Sequence, residues 1–295
     1  MILMRNNKCL GLQVICFNPW QGTYITKHVL TPLSAYPYIA LMDNKSLLKI
    51  ACRCVKEAGG ILRRKDTSLR HVNETFAHDL KLAADRRVEE NTRHILAKTG
   101  IPIIGEELGG DAGLLKSAGL YWAVDPLDGT VNYFQGVPYC CSSVGLWRGL
   151  TPVLGAVYDF NRNELFTGIV GEGASLGKCL IRASQNIVDR KKVLIYLSWS
   201  NMYSSCKDEQ RHHVIALNER YQAGRSCGST SLAIAYVAAG RFGAFYSAKT
   251  CIWDVAGSLA VLAAAGGTIK VRITEAFSME VSAAWNEALL PEMMG

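Results

Sequence analysis

Beyond residue 42 the apolar positions fall into two patterns, three- and four-residue steps and short continuous runs, and each pattern predicts a kind of element. Leu47, Leu48, Ala51, Cys54, Val55, Ala58, Ile61 and Leu62 step by three and four, the spacing of one helix face, with Asp43 or Ser46 available as N-cap. That helix ends near the basic run 63–65, where cations suit the last carbonyls. A second helical pattern covers about 80–98 and stops at Gly100. Short apolar runs at 101–104, 121–124, 140–146, 153–158 and 164–170 predict strands, the last two joined by a hairpin turn at 159–163. Further on, strands are predicted at 193–197, 244–246 and 268–273. Helices are predicted at 212–217, at 229–239 closed by Gly240, and at 254–265 closed by Gly266. Mixed this way, the elements predict layered α+β and α/β architecture, with 42–188 as an N-terminal α+β half and 189–295 as a C-terminal α/β half.

Residues 1–41 break the pattern. They hold no Asp or Glu, only three basic residues (Arg5, Lys8, Lys27), and no helical or strand period persists. The apolar stretch 9–17 is short, is broken by Gln13 and has no clear cleavage site after it, so it is not read as a secretory signal. The expectation is a poorly specified extension that adds nothing to folding or catalysis, with Met42 as the candidate translation start; the alternative is a targeting or docking arm.

Composition narrows the class. With 49% hydrophobic and 19% charged residues the chain has a core to bury, which excludes a disordered protein. No apolar run is long enough for a membrane span. The net charge of +7 is spread along the chain and suits a small anionic substrate as well as a polyanion, so nucleic acid is not indicated. The ten cysteines form no CxxC pair and no zinc-spaced Cys/His cluster; they read as small buried hydrophobes in a reducing cytoplasm.

Three acidic segments stand at element edges, where side chains converge on a ligand without breaking a core. Ile103-Ile104-Gly105-Glu106-Glu107 places two carboxylates after one strand, Trp122-Ala123-Val124-Asp125-Pro126-Leu127-Asp128-Gly129-Thr130 places two after the next, and Trp253-Asp254-Val255-Ala256-Gly257 places one at a helix start. In the middle segment Pro126 stiffens the turn between Asp125 and Asp128, and the Leu127 carbonyl lies between them. Two carboxylates and a carbonyl form an all-oxygen set suited to Mg²⁺. Gly129 and Thr130 add backbone N–H groups at a predicted helix start, a phosphate cradle. Alone, Glu106-Glu107 reads as solvated surface and Asp254 as an N-cap; together with the middle segment they supply enough oxygens for two or three ions.

GEE, then DPLDGT, then WDVAG resembles the inositol monophosphatase family of Mg²⁺-dependent, lithium-sensitive phosphatases, over about residues 47–291. Asp79-Leu80…Asp85, Gly171-Glu172-Gly173-Ala174 and Arg225-Ser226-Cys227-Gly228-Ser229 resemble further family segments. The resemblance implies an αβαβα sandwich of the sugar-phosphatase type and a cytoplasmic enzyme, commonly a homodimer. It implies Glu106, Asp125, the Leu127 carbonyl, Asp128 and Asp254 as ligands of two or three Mg²⁺ ions, with Glu107 holding waters behind them. It implies Asp85 and Thr130, with Glu106, as catalytic, and the backbone of Gly129 and Thr130 as phosphate-binding. The resemblance also implies Ser229, Ser247 and Lys249 as residues of the alcohol side of the pocket. There the family pattern is altered: a lysine is replaced by Glu74, and an acidic residue by Ser247 with Lys249 nearby.

The implied reaction is hydrolysis of inositol-1-phosphate or a related sugar phosphate, a small phosphate ester. A 3′(2′),5′-bisphosphate nucleotidase and a fructose-1,6-bisphosphatase are the enzymatic alternatives. The alternative of another class is an RNA or transcription-complex partner, which the diffuse charge disfavours.

Overall fold

A computed structural model describes residues 42–64, 69, 72, 82–184, 186–198 and 208–294, and the backbone of 13–18, 23–28, 73–75 and 80–81. The chain divides into two compact units, 1–41 and 42–295. In the first, β1 (Gln13–Asn18) and β2 (Thr23–His28) pair antiparallel, with Gln13 opposite His28. No persistent period in the sequence marks these strands. Val14, Ile15, Phe17, Tyr24, Ile25 and Thr26 carry strand propensity without an in–out alternation that a period would detect. The expected translation start concerns a segment otherwise outside the described residues.

The second unit opens with α1 (Asn44–Leu62), capped as expected: the Asp43 side chain accepts the Ser46 N–H at 2.7 Å. A small hairpin follows, β3 (Val72–Thr75) with β4 (Leu80–Leu82), and then α2 (Ala83–Leu96). α2 starts three residues later than the periodicity predicts. Residues 80–82 are spent on pairing with β3, and the Leu82 N–H goes to the Asp85 carboxylate at 2.6 Å. A turn of 3-10 helix then ends at Gly100, whose φ of 69° suits glycine.

Seven strands form the first sheet: β5 (Ile103–Gly105), β6 (Leu120–Asp128), β7 (Cys141–Arg148), β8 (Thr151–Asp159), β9 (Glu164–Ile169), β10 (Gly173–Leu176) and β11 (Cys179–Ile181). They lie in the order β11-β10-β9-β8-β7-β6-β5, antiparallel throughout except for the parallel β5–β6 pair. Between β6 and β7 runs α3 (Thr130–Gln135). The second sheet, ordered β13-β12-β14-β16-β15, contains β12 (Leu194–Leu197), β13 (Ala223–Arg225), β14 (Ala244–Cys251), β15 (Thr268–Ile273) and β16 (Ser278–Ala284). Its helices are α4 (Asp208–Arg220), α5 (Thr230–Ala238) and α6 (Ile252–Ala264).

The layers follow from which faces meet. α1 packs on β7–β9, and Tyr158 lies against Gly59 of that helix. Gly155, an odd number of residues from Tyr158 and so on the opposite face, meets α6 instead. α6 lies across β6–β9 and also touches β14, β15 and β16, with α5 beside it; α4 covers β12 and β13. The result is an αβαβα sandwich. α5 is buried along its whole length and α6 along most of it, as the central layer requires. Short β10, β11 and β13 carry too few residues to show a period, and β16 is buried on both faces, so none was readable as a strand.

Candidate active site

β5 and β6 run parallel, so their C-terminal ends open on the same edge of the sheet. Glu106 and Glu107 follow β5 directly, and Asp125 and Asp128 lie at the end of β6. β6 runs on through the proline, but its pairing with β7 skips Pro126 and Leu127. Proline has no N–H for the ladder, and the Leu127 N–H turns to Asp125 Oδ1 at 3.0 Å.

α6 delivers the third segment. Asp254 is its third residue, and Oδ2 accepts the Cys251 N–H at 2.9 Å and the Thr250 hydroxyl at 2.8 Å. Asp85 holds the same position in α2, reaching back to the Leu82 N–H. In each case an acid in the first helical turn satisfies an otherwise orphaned donor, which fixes the carboxylate's direction.

Carboxylate oxygens of Glu106, Asp125 and Asp254 lie within 4.8 Å of one another. Three carboxylates this close repel strongly unless a cation or protons intervene. The donors are all hard oxygens, so the set fits Mg²⁺. Asp128 is placed differently. Its carboxylate accepts the Ser229 hydroxyl at 2.5 Å and the backbone N–H groups of Thr230 at 3.1 Å, Ser231 at 2.6 Å and Leu232 at 3.4 Å, so it caps α5. Burial, and behind it the Asp254 charge, pushes Asp128 up to about 7, against the downward pull of those donors.

Thr130 opens α3 behind Gly129, whose φ is 92°. A Cβ at Gly129 would lie 3.1 Å from Cys140 Cβ and from the Gly228 and Tyr139 carbonyls, so glycine is needed twice over. The Thr130 hydroxyl donates to the Leu127 carbonyl at 3.0 Å and stands 3.5 Å from Asp85 Oδ1. The loop 225–229 closes the other side: the Tyr196 hydroxyl accepts the N–H groups of Cys227, Gly228 and Ser229 at 2.9–3.3 Å, and Asn132 donates to the Cys227 carbonyl at 2.6 Å.

Among the residues expected on the alcohol side, Ser229 is buried and turned to Asp128. Ser247 is buried at a bulge in β14 and donates to the Lys249 carbonyl at 3.0 Å, while Lys249 pairs with Glu275 at 3.2 Å. Asp79 lies outside the described residues. Sequence reasoning missed Glu89 and Arg93 of α2, which contact the turn 107–109, and Ser231, whose hydroxyl donates to the Asp254 carbonyl at 2.6 Å. Glu89 left one signal: it shares the apolar stripe of α2 with Val88, Thr92 and Ile95, an odd place for an acid.

The Inositol monophosphatase family model matches residues 43–283. Inositol monophosphatase 3 of Solanum lycopersicum is 33% identical over 230 residues, covering 76% of this chain and 85% of its own. The Nus factor SuhB of Xylella fastidiosa is 31% identical over 238 residues, covering 77% and 82%. In three dimensions the inositol monophosphatase from Anabaena (Nostoc) superposes with a TM-score of 0.67 at 26% identity, over 82% of this chain and 91% of that one. With the acidic segments gathered at one sheet edge and the family match running through all of them, this chain belongs to the inositol monophosphatase family.

Proposed function

We propose that the chain is a Mg²⁺-dependent phosphomonoesterase acting on inositol-1-phosphate or a related sugar phosphate in the reducing cytoplasm. The observation that carries this is the cluster of Glu106, Asp125 and Asp254 carboxylates within 4.8 Å, next to the Asp85–Thr130 pair. Those three side chains, with Asp128 and the Leu127 carbonyl beside them, would hold two or three Mg²⁺ ions, and Glu107 would hold waters behind them. Mg²⁺, when bound, neutralises phosphoryl charge and makes water more acidic.

The chain's own groups do the rest. Backbone N–H groups of Gly129 and Thr130 bind the phosphate. The Thr130 hydroxyl orients the attacking water, and Asp85 accepts its proton as the new P–O bond forms. The ester P–O bond breaks on the far side, and the departing alkoxide takes up a proton from solvent water to leave as the alcohol. Lys249, whose ammonium pairs with Glu275, would lie on the alcohol side, with the buried Ser247 supporting its backbone carbonyl. Free thiols at Cys52, Cys54, Cys140, Cys141, Cys179, Cys227 and Cys251 support the reducing compartment.

The test is phosphate release from a panel of inositol, sugar and nucleoside phosphates, with and without Mg²⁺. Release from none of them with Mg²⁺ present would refute the reading. A second reading, partnership with RNA or a transcription complex, is supported by the relatives named Nus factor SuhB. A salt-dependent mobility shift of RNA by the purified protein would favour it.

A further inference from the structure

The turn that carries Glu106 is held by a residue outside every motif. Glu89 on α2 is fully buried. Its Oε2 accepts the Glu107 N–H at 2.7 Å, and its Oε1 accepts the Leu108 N–H at 3.2 Å and Arg93 Nε at 2.7 Å. Arg93, one helical turn further on, donates Nη2 to the Gly109 carbonyl at 2.6 Å. That carbonyl also receives the Gly105 N–H at 3.0 Å. The backbone is therefore tied at 105, 107, 108 and 109, on both sides of Glu106. Gly105 fits the same arrangement, since a Cβ there would run into the Glu89 carboxylate.

A buried carboxylate is costly unless it is paired and fully hydrogen-bonded. Here an apolar side chain would satisfy the packing of α2 alone, as Val88 and Ile95 do on the same stripe. What the acid adds is two acceptors for turn amides and an anchor for the arginine that closes the turn.

We infer that Glu89 is a positioning residue for Glu106: by fixing the turn after β5 it sets the affinity of the carboxylate cluster for divalent cations. The inference rests on the metal reading given above. Loosening the turn leaves Glu106 present but free to drift from Asp125 and Asp254, and groups that orient metal ligands are commonly worth about 10- to 100-fold in metal affinity.

The experiment is calorimetric titration of Mg²⁺ into the wild type, Glu89→Gln and Arg93→Met, with melting temperatures taken alongside and phosphate release followed against Mg²⁺ concentration. Glu89→Gln should bind Mg²⁺ about 10- to 100-fold more weakly, and its rate should recover towards the wild-type value as Mg²⁺ is raised. Arg93→Met should shift in the same direction by less. A Glu89→Gln protein with a lowered melting temperature but wild-type Mg²⁺ affinity would overturn the inference, leaving Glu89 a prop of the fold. Should Glu89→Gln not fold, Arg93→Met decides by the same titration, and unchanged affinity there overturns the clamp. A wild type that does not bind Mg²⁺ would overturn the metal reading, and this inference with it, which separates the two failures.

Discussion

Ser231 donates its backbone N–H to Asp128 at 2.6 Å, so a carboxylate at the end of β6 caps a helix 103 residues further along the chain. That bond, with those from Ser229 and Thr230, ties the acidic edge of the first sheet to the central helical layer. Asp128 thus differs from its neighbours in what its loss should do.

Asp125→Asn and Asp254→Asn should abolish phosphate release while leaving the apo protein as stable as before, or more so. Each removes one charge from a self-repelling cluster and keeps the side chain's shape. Asp128→Asn should instead destabilise the apo protein by about 1–3 kcal/mol, because an amide nitrogen would then face buried N–H donors. Thermal melts of the three variants without metal separate the cases. A common fall in all three would refute the distinction.

Thr130→Ala should slow turnover by roughly 10²–10⁴-fold with little change in KM, since the hydroxyl is used mainly at the transition state. Asp85→Asn should act alike, and the double variant should be far from additive because the two groups stand 3.5 Å apart and serve one water. Steady-state kinetics of the double-mutant cycle checks this; multiplicative losses would argue for independent roles.

α6 lies directly on the first sheet through glycines. A Cβ at Gly145 would come within 2.5 Å of the Ala256 carbonyl carbon, and one at Gly155 would collide with the Gly257 carbonyl. These are backbone atoms and cannot rotate away. Gly145→Ala or Gly155→Ala should therefore cost about 1–3 kcal/mol by overpacking. Either should also reduce activity by lifting Asp254, which α6 carries. Chemical denaturation and phosphate release measured on one preparation test both; a fully stable Gly155→Ala would contradict the packing.

Arg241 donates twice to Glu164, at 2.6 Å each, and those hydrogen bonds hold Glu164 below the usual carboxylate range. A lowered folded-state pKa gives stability that is present above the ordinary carboxylate value and lost as pH falls through the lowered one. Asp159, paired directly with Glu164 across the hairpin turn, is pushed up by burial, so its contribution runs oppositely and favours the fold under acid. Arg241→Met should lower stability at pH 7 by about 1 kcal/mol, given the pair's partial exposure. The difference from the wild type should shrink as pH falls from 5 to 3. Melting curves across that range check it, and a gap that widens in acid would reverse the assignment.

Much of this protein was readable from its residues. A period of 3.6 located α1 and the body of α2, because each buries a single face and the pattern records which. Continuous apolar runs between turn residues located most of the first sheet, and apolar stretches located the three helices of the second half, α5 and α6 being closed by glycines. Asp43, Gly100, Gly240 and Gly266 marked element ends, since capping and left-handed turns are local demands. The acidic segments named the family through their order and spacing alone. Tertiary structure decided what depends on distant partners. It made Leu80–Leu82 a strand rather than a helix start, because β3 was there to pair with it. It buried both faces of β16, which erases alternation. It turned Asp128 and Ser229 towards each other, and it set Glu89 behind the turn of Glu106. No period or spacing encodes such contacts: they join residues whose closeness exists only once the sheets and the central helices have packed.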